Sequence, residues 1–155
     1  MSVEKVQEFL RNKGFQGEVM TMPESTATVD LAAAALGVEP DCIAKTLAFA
    51  QGDGCAVIVV SGRARVDNKK YKAAFGTKAR MMSFEDTLAA TGHAVGGVCP
   101  FALPQGVRVC LDASLKDHDT VYPAAGAGNA CLRLTLAQLE QLSGGEWVDV
   151  CTKAL

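Results

Sequence analysis

Two apolar runs joined by a tight turn constrain this chain more than any other feature of its sequence. The first run extends over residues 45–50 and the second over residues 55–61, with Gln51-Gly52-Asp53-Gly54 between them. Glycine and aspartate in so short a connection are typical of a β-hairpin. Because the second run is apolar throughout, we expect it to form a central strand that is covered on both faces.

The first run carries a single charge, Lys45, within Ile43-Ala44-Lys45-Thr46-Leu47-Ala48-Phe49. Lysine is almost never fully buried without a partner. An unpaired buried charge is costly, or the group changes its pKa instead. Two interpretations follow from the residues. Lys45 either occupies one solvent-facing position of the strand, or it lies in a pocket where its charge meets an anion.

The rest of the chain is interpreted as short helices and strands within one domain. Helical spacing predicts a first helix from Ser2 to about Asn12. Thr28 and Gly37 are suited to cap a helix over Val29–Leu36, and Asp67 can cap another from Asn68 to about Phe75. Pro40 predicts a brief helix. Further helices are predicted over residues 84–90, with Ser83 as the candidate cap, and after Thr135, which can cap the last helix. Further strands are predicted over residues 18–22, 79–82, 107–111, 120–122, 130–134 and 146–150.

Strands outnumber helices in this prediction, and short turns join several of them. We therefore expect an α+β fold over residues 1–155, with a curved, mixed, mostly antiparallel sheet flanked by helices. The N-terminus lacks the pattern of a signal peptide, and no apolar run approaches the ~18 residues of a membrane span. We expect a cytoplasmic protein that does not associate with a membrane.

Composition narrows the possible partners and cofactors. The six cysteines include no C-x-x-C pair, and most lie in apolar runs, which argues against zinc and against a disulfide framework. We expect neither a metal nor another cofactor. The net charge of −2 excludes a generally basic binder of nucleic acid, and we expect no DNA partner.

Residues 63–80 nevertheless carry seven of the fifteen basic residues and one acid, Asp67. The segment is either the solvated face of a helix or a local patch that follows the phosphates of an RNA backbone. The basic residues are Arg63, Arg65, Lys69, Lys70, Lys72, Lys78 and Arg80.

Two loops are rich in small residues. The first glycine loop, residues 91–104, contains Gly96-Gly97 and has no Asp, Glu, Lys or Arg, and the second glycine loop spans residues 123–129. Successive backbone N–H groups in such loops can surround an anion or a developing oxyanion, although most such loops are simple turns. A catalytic pair of Cys99 with His93 or His118 is disfavoured, because the uncharged surroundings of Cys99 do not lower a thiol pKa. The remaining parts suit ester cleavage by water, without a protein nucleophile.

Assembled in this way, the chain resembles the YbaK/ProX family of aminoacyl-tRNA deacylases, which are related to the editing domain inserted in bacterial prolyl-tRNA synthetases. Each matching stretch is weak by itself, and together they are specific. They are Ile43-Ala44-Lys45-Thr46-Leu47, Val60-Ser61-Gly62, Val66-Asp67, residues 92–101, Asp112-Ala113-Ser114-Leu115 and Tyr122-Pro123-Ala124-Ala125-Gly126.

The resemblance implies that Lys45 lies in the editing pocket and is needed for deacylation. It implies that backbone amides of the loop Gly96-Gly97-Val98-Cys99-Pro100, with Gly96 and Gly97 as catalytic residues, surround the aminoacyl carbonyl and the terminal adenosine. Residues expected to bind substrate are Thr46, Ser61, Val98, Cys99, Pro100, Ala125, Gly126 and Asn129. Those expected to contact tRNA are Arg63, Arg65, Lys69, Lys70 and Lys72. The implied partners are the tRNA acceptor end and an aminoacyl-tRNA synthetase.

The resemblance predicts a hydrolase that edits mischarged tRNA in trans, with tRNA for proline carrying Ala, Ser, Thr or Cys as the expected substrate. Two departures leave the amino acid open. Thr46 stands where alanine-specific members carry Asn, and Ala124 and Ala125 stand where cysteine-type members carry Ser. The alternatives are a non-catalytic module that binds tRNA or a nucleotide, and a regulatory protein whose pocket holds a small anion.

Overall fold

The computed structural model describes residues 2–153, and a six-stranded sheet organises them. Ten short strands form three sheets. The strands are β1 (Met20–Thr21), β2 (Ile43–Gln51), β3 (Gly54–Ser61), β4 (Ala64–Val66), β5 (Arg108–Asp112), β6 (Thr120–Pro123), β7 (Ala130–Cys131), β8 (Leu134–Thr135), β9 (Glu146–Val148) and β10 (Cys151–Lys153). The large sheet has the order β8-β6-β2-β3-β5-β9, and two small sheets pair β1 with β7 and β4 with β10.

The predicted hairpin is confirmed as the centre of the large sheet. Strands β2 and β3 pair antiparallel from Ala44–Ser61 to Gln51–Gly54. On its other edge β3 pairs parallel with β5, and seven of its eight residues are buried. The mixed α+β architecture is also confirmed: the β2–β6, β3–β5 and β5–β9 pairings are parallel, and the other four pairings in the described chain are antiparallel.

Five α-helices flank the sheet, with the caps that the sequence indicates. Side chains of Thr28, Asp67, Ser83 and Thr135 accept hydrogen bonds from the first turns of α2, α3, α4 and α5, respectively. The helices are α1 (Ser2–Asn12), α2 (Val29–Leu36), α3 (Asn68–Phe75), α4 (Phe84–Thr91) and α5 (Leu136–Ser143), and Pro40–Cys42 forms a 3-10 helix. None of the helices in this described part has the length and apolar content needed to cross a bilayer.

The structure corrects several strand predictions. Residues 79–82 form no strand, although Met81 bridges Phe49 at the edge of β2. The predicted strand over 130–134 is two short strands, β7 and β8, and the predicted strand over 18–22 contains only β1. Strands β4 and β10, three residues each, were not predicted, because runs that short carry no usable periodicity.

The two faces of the sheet bury separate groups of apolar side chains. Val59 packs on one face with Phe101 and Leu111. Ile58 and Val60 pack on the other face with Tyr71, on α3. Because neighbouring residues of β3 point to opposite faces, both layers of the core share this strand.

A buried carboxylate explains why the predicted strand over 146–150 ends early. Asp112 is 1% exposed and accepts hydrogen bonds from the backbone N–H of Ser114, at 2.9 Å, and of Val150, at 2.8 Å. The bond to Val150 draws the chain away from β9 and directs it into β10. Strand β10 then pairs with β4 beside the hairpin.

Replacing this carboxylate should destabilise the fold. In Asp112→Asn, one backbone N–H must face an amide NH₂ group, so we expect the free energy of unfolding to fall by about 2–3 kcal/mol. The control is Asp149→Asn, which removes an exposed ion pair with Lys70 and should cost at most about 0.5 kcal/mol. Urea unfolding followed by circular dichroism measures both, and equal losses would contradict the role assigned to Asp112.

Candidate functional site

The candidate site begins at a gap along one edge of strand β2. On this edge, Ile43 and Ala44 are the only residues of β2 that pair with β6 in the described chain. Further along the same edge, Met82 donates its backbone N–H to the Ala48 carbonyl at 3.0 Å, and Ala50 donates to the Arg80 carbonyl at 2.8 Å. Residues 45–47 lie between these two sets of contacts and have no neighbouring strand on this edge.

Thr46 presents unsatisfied polar groups to this gap. Peptide groups of alternate residues in a strand point to the same edge, so those of Thr46 point the same way as those of Ala48 and Ala50. Within residues 2–153, neither the N–H nor the C=O of Thr46 has a partner on this edge. The Thr46 hydroxyl is also buried without a hydrogen-bond partner. Since peptide groups are nearly always paired, a ligand in the gap is the natural partner for the N–H and C=O of Thr46.

A cavity of about 280 Å³ lies at the gap. Its walls come from the start of α2, from strands β2 and β6, from residues 81–84 and from the first glycine loop. Val29, Ala32, Ala44, Met82 and Tyr122 give it a mostly apolar lining. Its size is near the lower end of the roughly 300–1,000 Å³ typical of ligand pockets. The cavity therefore suits a small group of mixed character, with an apolar part and a polar part that reaches Thr46.

Lys45 supplies the only formal charge among the described residues that line the cavity. It lies on the opposite face of β2 from Thr46, on the same face as Leu47, and is one of the residues that line the cavity. Burial lowers the pKa of its amine; the nearby Arg65 adds to this effect, and Cys151 opposes it. The Lys45 amine makes no hydrogen bond or ion pair with a described residue. No described residue therefore neutralises this half-buried cation, and its role in a pocket stays a prediction.

Four of the predicted site residues meet at this cavity: Lys45, Thr46, Gly96 and Val98. Gly97 lies instead where the two glycine loops touch. Its carbonyl accepts a hydrogen bond from the Gly126 N–H at 2.9 Å, and an added Cβ at Gly97 would lie 2.4 Å from the Ala127 nitrogen. Close packing between two backbones therefore accounts for glycine at position 97.

The other residues expected to bind substrate do not line the cavity. Ser61 is buried and donates to the Asp41 carbonyl at 2.8 Å, and Asn129 donates to the Met22 carbonyl at 3.1 Å. Pro100 and Ala125 are buried as well, the latter in the main core. These residues support the loops around the site, and substrate contacts for them remain a prediction.

Cys99 Sγ lies 3.5 Å from His93 Nε2, but the pair is not prepared to act as a nucleophile and its base. Both side chains are buried, and burial raises the pKa of the Cys99 thiol to about 12. His93 Nε2 lies 2.8 Å from the Phe101 carbonyl and donates to it, while Nδ1 accepts a hydrogen bond from the Ser2 hydroxyl. Neither ring nitrogen is free to accept a thiol proton.

The basic residues expected to contact tRNA occupy a surface around β4 and α3. Arg63, Arg65, Lys69 and Lys72 are exposed. Lys70 is held by Asp149 at 3.2 Å and by the Cys151 carbonyl at 3.0 Å. Four of the five charges are therefore accessible to a phosphate backbone. The fifth, on Lys70, links α3 to β10.

Sequence reasoning missed part of the cavity wall. Val29 and Ala32 reach it from α2, and Met81, Met82 and Phe84 reach it from the segment that precedes and begins α4. The caps predicted α2 as a helix, and no local pattern places it beside β2. The adjacent Met81-Met82 and the aromatic Phe84 directly after a capping serine were the available signals. Within the described chain, no cluster of three or more His, Cys, Asp or Glu residues could hold a metal ion.

Comparison with known proteins gives concordant matches. A model of the aminoacyl-tRNA editing domain family matches residues 23–142. The uncharacterized protein YwhH of Bacillus subtilis (strain 168) is 42% identical over 153 residues, covering 97% of this chain and 98% of that protein.

Solved structures extend the similarity to the fold. A crystal structure described as that of a candidate trans-editing enzyme for prolyl-tRNA synthetase has a TM-score of 0.89 and 33% identity, covering 99% of this chain and 98% of that chain. A crystal structure of a hypothetical protein has a TM-score of 0.87 and 32% identity, covering 96% of this chain and 99% of the other.

The unpaired hydroxyl of Thr46 makes a testable prediction about stability. Thr46→Val removes a buried polar group that has no partner and keeps the β-branched shape, so we expect the free energy of unfolding to rise by up to about 1 kcal/mol. The matched control is Thr91→Val, because the buried Thr91 hydroxyl donates to the Thr87 carbonyl at 2.7 Å. That control should lose about 1–3 kcal/mol.

Urea unfolding of both variants and the wild type gives the comparison. A loss of stability in Thr46→Val as large as that in Thr91→Val would mean that the Thr46 hydroxyl has a partner in the folded protein, and would remove it from the site.

Proposed function

Because this chain belongs to the YbaK/ProX family of aminoacyl-tRNA editing domains, we propose that it is a hydrolase that cleaves the ester bond of mischarged aminoacyl-tRNA. It acts on the acylated acceptor end as a free-standing protein. Its substrate is the tRNA for proline carrying a small, wrong amino acid, namely Ala, Ser, Thr or Cys.

The observation that carries this proposal is the set of unpaired groups at the β2 gap. An aminoacyl ester presents an ammonium group, a carbonyl and a short side chain close together. The C=O of Thr46 can accept a hydrogen bond from the ammonium, and its N–H can donate to an acyl oxygen. The apolar wall then receives the side chain, and the half-buried cation of Lys45 faces the charge that develops on the carbonyl oxygen.

The reaction uses water as the nucleophile. A water oxygen adds to the acyl carbon, and the carbonyl oxygen takes the negative charge of the tetrahedral intermediate. The ester C–O bond then breaks, and the ribose oxygen leaves with a proton that comes from water. The products are the free amino acid and a tRNA with a free terminal hydroxyl.

Lys45 and the N–H of Thr46 stabilise the intermediate, and the substrate's own groups assist in moving the proton. A role for the substrate in proton transfer fits the lining residues, since none of those that the structure describes has a carboxylate or an imidazole.

The size of the cavity limits the side chains that it accepts. Ala44, Ala48 and Ala32 line it with small side chains, whereas Tyr122 and Met82 close it with large ones. An apolar pocket distinguishes side chains that differ by one methylene by only about 1–3 kcal/mol. We therefore expect overlapping activity on several small amino acids.

The assignment to tRNA for proline draws on the structural relative described as a candidate trans-editing enzyme for prolyl-tRNA synthetase. By the same reasoning, a synthetase is the expected protein partner. Contacts between the exposed cations Arg63, Arg65, Lys69 and Lys72 and the tRNA backbone belong to the proposal too.

A second candidate function follows from the lack of an acid or base in the described lining. A module that holds the acylated end without cleaving it would need only the Thr46 groups and the Lys45 charge. It predicts binding of aminoacylated tRNA with no gain in the rate of hydrolysis.

Deacylation of a panel of substrates tests the proposal. We expect wild-type protein to release the amino acid from tRNA for proline charged with Ala, Ser, Thr or Cys. Lys45→Ala should lower kcat/KM by about 100-fold or more, the typical effect of losing one group that stabilises an oxyanion. Single-turnover release of radiolabelled amino acid provides the rate.

Lys116→Ala is the matched control, because it removes a lysine that lies over Trp147, away from the cavity. It should retain the wild-type rate. If wild type and Lys45→Ala release every amino acid equally slowly while both bind the RNA, the protein is a binding module and the hydrolase proposal is contradicted.

The role of the Lys45 charge predicts a direction of pH dependence. The protonated amine is the active form, and burial lowers its pKa below the ordinary value of 10.5. After subtraction of uncatalysed hydrolysis, the rate should therefore fall as pH rises through this lowered pKa. Lys45→Arg keeps a charge throughout this range, so its residual activity should not show the fall. A rate that rises with deprotonation of Lys45 would instead identify the amine as a general base.

A further inference from the structure

Large apolar side chains stand exposed around the mouth of the cavity. Phe84 is 75% exposed, Met81 65% and Val95 46%, and all three also line the cavity. An apolar group this exposed gains little from folding, since burial is what makes such groups stabilising. A cluster of them at one opening is typical of a surface that contacts a ligand.

We propose that the ring of Phe84, with the side chain of Met81 beside it, forms a platform on which the base of the terminal nucleotide of the tRNA stacks. This inference rests on the proposed function and deepens it, because it assigns a contact to the nucleotide that carries the amino acid.

The connectivity of the substrate places that base at the rim. The acyl group enters the cavity, and the body of the tRNA stays outside it. The terminal nucleoside joins the two, so it must cross the opening where Phe84 and Met81 lie. An aromatic ring at that point offers its face to any base, because every base has a flat π surface.

The platform is held in place before any substrate binds. Phe84 is the first residue of α4, and the Ser83 hydroxyl caps that helix by accepting a hydrogen bond from the Asp86 N–H at 3.1 Å. Just before it, Met82 and Arg80 are bonded to β2 through their backbones. The ring is therefore exposed on a segment that is fixed at both ends, so little conformational entropy is lost when a base stacks on it.

Charge on the same segment favours a nucleic acid over an apolar protein segment as the occupant. Lys78 and Arg80 are exposed and lie within three residues before Met81. Glu85 and Asp86, also exposed, follow Phe84 in the first turn of α4, where acidic side chains stabilise the helix. The phosphates attached to a stacked nucleoside would accordingly lie on the Lys78–Arg80 side of the rim.

A comparison of two substrates isolates the base. One is an RNA minihelix that ends in 3′-alanyl-adenosine, and the other is the same minihelix with a terminal ribose that lacks a base. For Phe84→Ala we expect KM on the first substrate to rise roughly 5- to 100-fold, the range measured when one base–aromatic stack is removed. The value of kcat should change little, because stacking is made equally in the ground state and the transition state.

On the base-free substrate, Phe84→Ala should behave as wild type. Phe84→Tyr should restore KM on the adenosine substrate, because it keeps the ring. Leu88→Ala is the matched control: Leu88 lies on the same helix and is 51% exposed, but it does not line the cavity. Circular dichroism spectra of all three variants establish that they are folded.

A binding measurement keeps this test separate from that of the hydrolase. In the uncharged minihelix, NMR should detect contacts between the ring protons of Phe84 and the terminal adenine, and Phe84→Ala should weaken binding while Leu88→Ala does not. If these contacts appear and no ester is cleaved, the stacking proposal is supported and the hydrolase proposal is contradicted.

Three results would overturn the platform while leaving the hydrolase intact. One is an equal effect of Phe84→Ala and Leu88→Ala, and another is an equal effect of Phe84→Ala on both substrates. The third is the absence of ring–adenine contacts although the minihelix binds. Binding of an apolar peptide at Phe84 in place of the minihelix would identify the rim as a protein contact and would also overturn it.

Discussion

Hydrogen bonding of buried peptide groups is the constraint on which this structure depends, because such groups are costly to leave without a partner. Strand β2 is paired with β3 from Ala44 to Gln51. On its other edge it has hydrogen-bond partners only near its two ends, among the described residues. Pro123 ends β6, and the chain then turns back, so that the Pro123 carbonyl accepts a bond from Leu132. The partner strand thereby leaves β2 just before Thr46. A cavity at this point is the direct result of interrupted pairing within an otherwise continuous sheet.

The gap concentrates groups that oppose folding and favour binding. Thr46 contributes a hydroxyl and peptide groups without partners, and Lys45 contributes a cation that burial makes less favourable. The rest of the sheet compensates, because β3 is buried on both faces and paired along both edges. A site that is unsatisfied in the free protein can gain the full strength of its hydrogen bonds when a substrate supplies the partners.

The glycine loops contribute shape to this site, and the N–H of Gly97 is already bonded to the Ala94 carbonyl at 2.9 Å. Gly97 and Gly126 allow the two loops to touch backbone to backbone, which brings Gly96 and Val98 to the cavity and buries Cys99 behind them. Chemical reactivity is absent from this supporting layer. The Cys99 thiol has a pKa of about 12, and both nitrogens of His93 are engaged. Neither side chain in this layer is therefore prepared to act as a nucleophile.

The sequence alone determined the hairpin, the helices and their caps, because these depend on neighbours within a few residues: Thr28, Asp67, Ser83 and Thr135 begin helices where the local pattern predicts them. It also indicated Lys45, since a charge in an apolar strand needs an explanation. Only the tertiary structure decided that the Thr46 hydroxyl has no partner among the described residues, that Gly97 packs against Ala127, and that Phe84 lies exposed at the cavity. Those facts depend on which distant segments meet along one edge of β2, and pairing across such distances leaves no periodic signal in the chain.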